Sequence, residues 1–130
     1  MPSYGQSSRE RLNTCHPLLQ NLFEEVIKHV DCTILCGRRG RDDQEKAFSE
    51  GKSRAHYGQS PHNYSPSLAV DVMPYPIDWN DMDRLKAFAH DVKLIAAVMK
   101  IKVRWGGDFE SFFDGPHWEL VGISDTKIPE

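Results

Sequence analysis

The sequence predicts an α+β domain: a small, largely antiparallel sheet with helices packed on it. Three observations predict it. Four short apolar runs, at 32–36, 68–73, 101–105 and 117–121, have the length and bounding Gly and Pro of strands. Two longer stretches, 17–30 and 81–99, carry apolar residues at helical spacing. The resulting order, α-α-β-α-loop-β-α-β-loop-β, is not the strict alternation that builds a parallel sheet. With 130 residues, 39% of them hydrophobic and 27% charged, the chain reads as a single domain spanning 1–130.

Taken in order, Ser7 with Glu10 three positions later predicts a capping box and a short first helix. Pro17 suits the first turn of a second helix, whose buried face is Leu18, Leu19, Leu22, Phe23, Val26, Ile27 and Val30. Cys32 to Cys36 is a buried strand ended by Gly37, and Arg38-Arg39-Gly40-Arg41 is a turn. Asp42 or Asp43 is expected to cap a third helix that Gly51 closes. Residues 52–66 are rich in Gly, Ser, Pro, His and Tyr without periodicity, a long loop of the kind that carries function. Leu68 to Met73 reads as a central strand, and Asn80 or Asp81 as the cap of a long helix through Met99. Two further strands follow, around Val103 and from His117 to Val121, and the tail 124–130 is expected to fray.

Several function classes are disfavoured. A net charge of −3 provides no basic field for nucleic acid. No apolar run reaches the roughly 20 residues of a membrane span. The polar N-terminus lacks the apolar stretch of a signal peptide. Three cysteines, Cys15, Cys32 and Cys36, without a close Cys-x-x-Cys pair, read as reduced core residues.

The chemistry gathers in two stretches, 60–71 and 114–120. Asp71 is the single charge in an apolar strand and is costly to bury unpaired. It either faces water, pairs with an arginine, or binds a metal. Two imidazoles, His62 and His117, sit where loops meet strands, and two histidines with one carboxylate form a common catalytic zinc set. Asp114, three residues before His117 across a Gly-Pro turn, is placed to act as a base without ligating the ion. Glu119 shares the strand face of His117 and competes for that role or orients the imidazole. Spacing alone does not separate the two. The arginine turn is either solvated surface or a clamp for an oxyanion or carboxylate.

Together, Gly37-Arg38-Arg39-Gly40-Arg41-Asp42-Asp43-Gln44, Ser60-x-His62, Ala69-x-Asp71, Trp105-Gly106-Gly107-Asp108 and Asp114-x-x-His117-Trp118-Glu119-Leu120 resemble the zinc D,L- and D,D-peptidases. These are related to D-alanyl-D-alanine carboxypeptidases, and the likeness is nearest to the L-alanyl-D-glutamate endopeptidases of phage endolysins and bacterial wall hydrolases. The resemblance spans about residues 15–121. It implies a D-Ala-D-Ala carboxypeptidase/hedgehog-like fold and one Zn2+ on His62, Asp71 and His117. It further implies Asp114 as catalytic base, Arg39 as oxyanion stabiliser, and Gln44, Ser60 and Glu119 as supporting positions near the substrate. The implied substrate is a peptidoglycan stem peptide cut at the L-Ala–D-Glu bond, the alternatives being a D-alanyl-D-alanine carboxypeptidase or dipeptidase and a catalytically silent zinc-stabilised binding module. A monomer made in the host cytoplasm and acting on the wall after release is expected. In two places the chain departs from the usual pattern. Eight residues instead of six separate His62 from Asp71, so a different cleft rim is expected there. The base is Asp where the D-Ala-D-Ala enzymes often carry Glu.

Overall fold

The computed structural model describes residues 2–130. Its elements are α1 (Gln6–Leu12), α2 (Pro17–Val26), β1 (Cys32–Cys36), α3 (Arg41–Ser49), β2 (Ala69–Pro74), α4 (Met82–Met99), β3 (Val103–Trp105) and β4 (His117–Leu120). Single 3-10 turns at Pro61–Asn63 and Gly106–Asp108 precede β2 and β4. The strands form one sheet in the order β1-β2-β4-β3, every neighbouring pair antiparallel, as the α+β reading requires.

Strand alternation divides the sheet into two chemistries. Val70, Val72, Trp118 and Leu120 point to the side packed by α2 and α4, where they join Leu19, Leu22, Phe23, Val26, Phe88 and Val92 in the core. Trp118 is fully buried, edge-on to Phe23 and stacked on Trp105 at 6.1 Å between ring centroids. Each such large side chain contributes about 1.5–3 kcal/mol of hydrophobic stabilisation. Asp71, Met73, His117 and Glu119 occupy the other face, which opens onto a cleft. The sheet thus uses one surface for stability and the other for chemistry.

The helix ends differ from expectation. Gly5 and Gly40 stand at the N-caps of α1 and α3 with no side-chain cap, so neither the Ser7–Glu10 box nor an Asp42 or Asp43 cap forms. Ser8 is drawn into a tertiary contact instead, its hydroxyl accepting the Ile34 N–H at 3.1 Å. Helix α2 stops at Val26 rather than running to Val30, because Lys28 and His29 turn to the carbonyls three residues back. The cap of α4 is as expected: Asp81 accepts the Arg84 N–H.

The tail is tied down rather than frayed. Asp125 meets His16 at 3.0 Å, Ser65 and Lys127 form an antiparallel bridge, and the Tyr57 hydroxyl donates to the Pro129 carbonyl. The two extra residues between His62 and Asp71 fall in this region. Residues 64–67 take no part in lining the cleft; Ser65 receives the tail, and Ser67 pairs with Cys15. This segment therefore lies away from the cleft and meets the C-terminal tail and Cys15.

Candidate active site

His62, Asp71 and His117 converge, with one potential donor atom from each lying within 4.8 Å of the others. The β2–β4 register sets Asp71 directly opposite His117. His62 arrives from the 3-10 turn, where Ser60 caps the turn by accepting the His62 N–H at 3.1 Å. Ser60 therefore acts on the backbone that carries the imidazole.

Hydrogen bonding settles which ring nitrogens face inward. His62 Nδ1 lies 2.8 Å from the Gly37 carbonyl, which only accepts, so Nδ1 carries the hydrogen and Nε2 faces Asp71 Oδ1 at 3.1 Å. His117 Nε2 lies 2.8 Å from Glu119 Oε1, so that nitrogen donates and Nδ1 faces Asp71 Oδ1 at 3.5 Å. Two imidazole lone pairs and a carboxylate thus point at one spot, a donor set that fits a divalent cation with borderline-soft preferences. Glu119 and the Gly37 carbonyl are the outer partners that aim the two rings.

In the metal-free chain both imidazoles bind protons more tightly than free histidine. Burial disfavours charge on His62, but Asp71 and Cys36 outweigh it and hold the imidazole up at about 10. Burial acts likewise on His117, and its bonds to Asp71 and Glu119 again prevail, raising it. Burial would push Asp71 up, yet the two imidazoles hold it well below the carboxylate range.

Asp114 stands beside the group, its Oδ2 3.9 Å from His117 Nδ1. Burial, reinforced by the Asp71 charge, pushes its carboxyl up, toward the range in which a carboxylate both takes and returns a proton. Its turn depends on a close approach: a Cβ on Gly106 would sit 2.1 Å from the Asp114 carbonyl oxygen and 2.9 Å from the His117 Cβ. This explains the glycine in Trp105-Gly106-Gly107-Asp108.

Arg39 reaches the cleft from the other side. Its Nη2 lies 3.5 Å from Asp71 Oδ2, and its Nη1 donates to Gln44 Oε1 at 3.1 Å. Gln44 is completely buried, and its amide nitrogen donates to Ser53 Oγ and the Ala55 carbonyl. Asn63 is the partner the sequence did not disclose. Its amide nitrogen donates to the Arg39 carbonyl and Gln44 Oε1, while its oxygen accepts from Gly58 and Ser60 N–H. Adjacency to His62 was the only available signal. Cys36 also departs from the expectation of core filler. It is half-buried against the cleft, 3.8 Å from Arg39; burial raises its thiol, but His62 outweighs this and lowers it.

All eight residues singled out in the sequence meet around one cleft of about 1030 Å³, with Gln44 just behind its wall. No helix among the described residues is long and apolar enough to cross a membrane.

Comparison with known proteins identifies the family. The profile of the phage L-alanyl-D-glutamate peptidase family matches residues 2–121. The L-alanyl-D-glutamate peptidase of Escherichia phage T5 is 27% identical, over 91% of this chain and 97% of its own length. The peptidoglycan L-alanyl-D-glutamate endopeptidase CwlK of Bacillus subtilis is also 27% identical, over 72% of this chain and 63% of its own. The crystal structure of the Serratia marcescens L-Ala D-Glu endopeptidase ChiX superposes with a TM-score of 0.77 at 28% identity, covering 91% of this chain and 89% of that one. A profile match across nearly the whole chain leaves one conclusion: this protein belongs to the phage L-alanyl-D-glutamate peptidase family.

Proposed function

We propose that the chain is a peptidoglycan endopeptidase that hydrolyses the L-Ala–D-Glu bond of the stem peptide, with one zinc ion held by His62, Asp71 and His117. The observation that carries this reading is the meeting of a three-residue metal donor set, a half-buried carboxylate and an anchored guanidinium in one open cleft. When bound, the ion supplies Lewis acidity, making the attacking water more acidic and the scissile carbonyl more electrophilic.

The remaining steps fall to the chain's own groups. Asp114 accepts the proton of the attacking water and delivers it to the leaving D-Glu amine. Its place beside His117, half-buried at the cleft, suits both halves of that transfer. Arg39, fixed by Gln44 and Asp71, meets the negative charge that builds on the carbonyl oxygen. Glu119 keeps the His117 ring in the ligating orientation.

The test is a digest of purified peptidoglycan, with new termini identified by mass spectrometry. A free D-Glu amino terminus is expected; released D-Ala instead would assign the chain to D-alanyl-D-alanine carboxypeptidase chemistry. Asp114→Ala should retain one zinc per chain by elemental analysis yet lose turnover by about 10²–10⁴-fold. Loss of the zinc in that variant would make Asp114 a ligand.

A further inference from the structure

The cleft is mixed in chemistry. Its lining includes the apolar Met73, Trp79, Met82 and Phe113, while α3 and the loop after it contribute Lys46, Lys52 and Arg54 along with Asp43 and Glu50. Glu50 already engages Lys52 at 3.2 Å. Among the described residues, no carboxylate comes within 4.0 Å of Lys46 or Arg54.

Arg54 is held in place although exposed. Its Nη1 donates to the Ser111 carbonyl at 3.1 Å, and its guanidinium lies 4.4 Å over the Phe112 ring. It therefore spans from the loop after α3 to the loop before β4, both of which border the cleft. One N–H is used and one face is stacked, which leaves a donor edge free for a carboxylate. Its neighbours Ser53 and Ala55 are bonded to Gln44, the same residue that fixes Arg39. These bonds hold the backbone on either side of Arg54 relative to the reaction centre, and the contacts with Ser111 and Phe112 remove part of the freedom its side chain would lose on binding.

The substrate chemistry supplies the matching group. In a stem peptide the D-Glu after L-Ala continues through its γ-carboxyl, so its α-carboxyl hangs free on the leaving side. A diamino diacid in third place adds another carboxyl. Walls differ in whether these groups are ionised or amidated. We infer that Arg54, with Lys46 lining the same cleft, binds the carboxylates on the leaving side of the stem peptide and makes the enzyme selective for free-acid stems over amidated ones. This rests on the reaction proposed above.

Two synthetic N-acylated stem peptides, identical except that the D-Glu α-carboxyl and third-residue carboxyl are free in one and amidated in the other, test it. With the zinc-loaded protein, kcat/KM should favour the free acid by about ten-fold, the value of one charge-assisted hydrogen bond. Arg54→Gln should remove most of that preference by raising KM for the free acid alone, and Arg54→Lys should restore part of it. An equal rate on both peptides by the unaltered protein, or an unchanged ratio in Arg54→Gln, would overturn the inference. So would an equal loss on both peptides, which marks a merely structural arginine. If neither peptide is cut at L-Ala–D-Glu, the reaction assignment itself fails; cutting without preference refutes only the role of Arg54.

Discussion

Replacing Gly106 with Ala perturbs the site without removing any functional group. The added Cβ would lie 2.1 Å from the Asp114 carbonyl oxygen and 2.9 Å from the Cβ atoms of both Asp114 and His117. A carbon–oxygen contact normally settles near 3.3 Å, so something must move by about 1 Å. The nearest atom is backbone and cannot rotate away. The same turn is held by the Asp114 N–H on the Gly106 carbonyl at 3.0 Å and by the His117 N–H on the Asp114 carbonyl at 3.2 Å. Overpacking of this kind costs about 1–3 kcal/mol, a melting midpoint lower by roughly 4–12 °C for a chain of this size. The displaced segment carries both the proposed base and a proposed ligand, and 1 Å of misplacement costs on the order of 10²-fold in rate. Thermal melts, zinc titration and turnover on a defined stem peptide read the three effects together. Gly5→Ala is the control, since its Cβ would meet nothing within 4 Å. If Gly106→Ala matched the parent in all three, the close packing of the two segments would be irrelevant and the reasoning wrong.

Glu119→Gln should weaken zinc binding by about 10–100-fold, because the charge that holds the His117 Nε2–H is gone; an unchanged affinity by chelator competition would reduce Glu119 to a bystander. The pH response should have opposite signs with and without metal. In the metal-free protein the raised His62 pKa contributes stability that is complete below about 6.5, the unfolded value, and is lost as pH rises toward about 10. Metal binding must displace that proton, so zinc affinity rises over the same window. Melts from pH 7 to 9.5 with zinc or with chelator should diverge, and parallel curves would contradict a protonated His62. Truncation after Gly122 removes the bonds to His16, Ser65 and Tyr57 and should cost about 1–3 kcal/mol in chemical denaturation; an unaltered midpoint would mean these bonds contribute nothing in solution.

What could be read from the sequence follows from the range of the forces involved. Leu68 to Met73 and His117 to Leu120 were visible as strands because apolar runs record burial directly. His62, Asp71 and His117 were visible because metal chemistry admits few residue types. Helix starts were less legible: Ser7 has the composition of a cap, but the backbone enters through Gly5 and the hydroxyl of Ser8 is taken by Ile34. The web around Gln44 and Asn63 was hidden because amides carry no periodicity, and their partners lie up to 24 positions away. The tail looked polar and loose, yet three separate residues of the body hold it.

The pairing of Asp71 with His117 across β2 and β4 has a consequence for any cation the two residues share. These two residues are brought together only by closing a long loop that contains α4 and β3. An unfolded chain pays on the order of 3 kcal/mol of entropy for that closure before any chelate exists. A cation held by both residues would therefore bind the folded sheet more tightly than the unfolded chain and would act as a reversible crosslink between distant parts of the chain. Its affinity would then serve as a readout of whether the two strands are correctly joined.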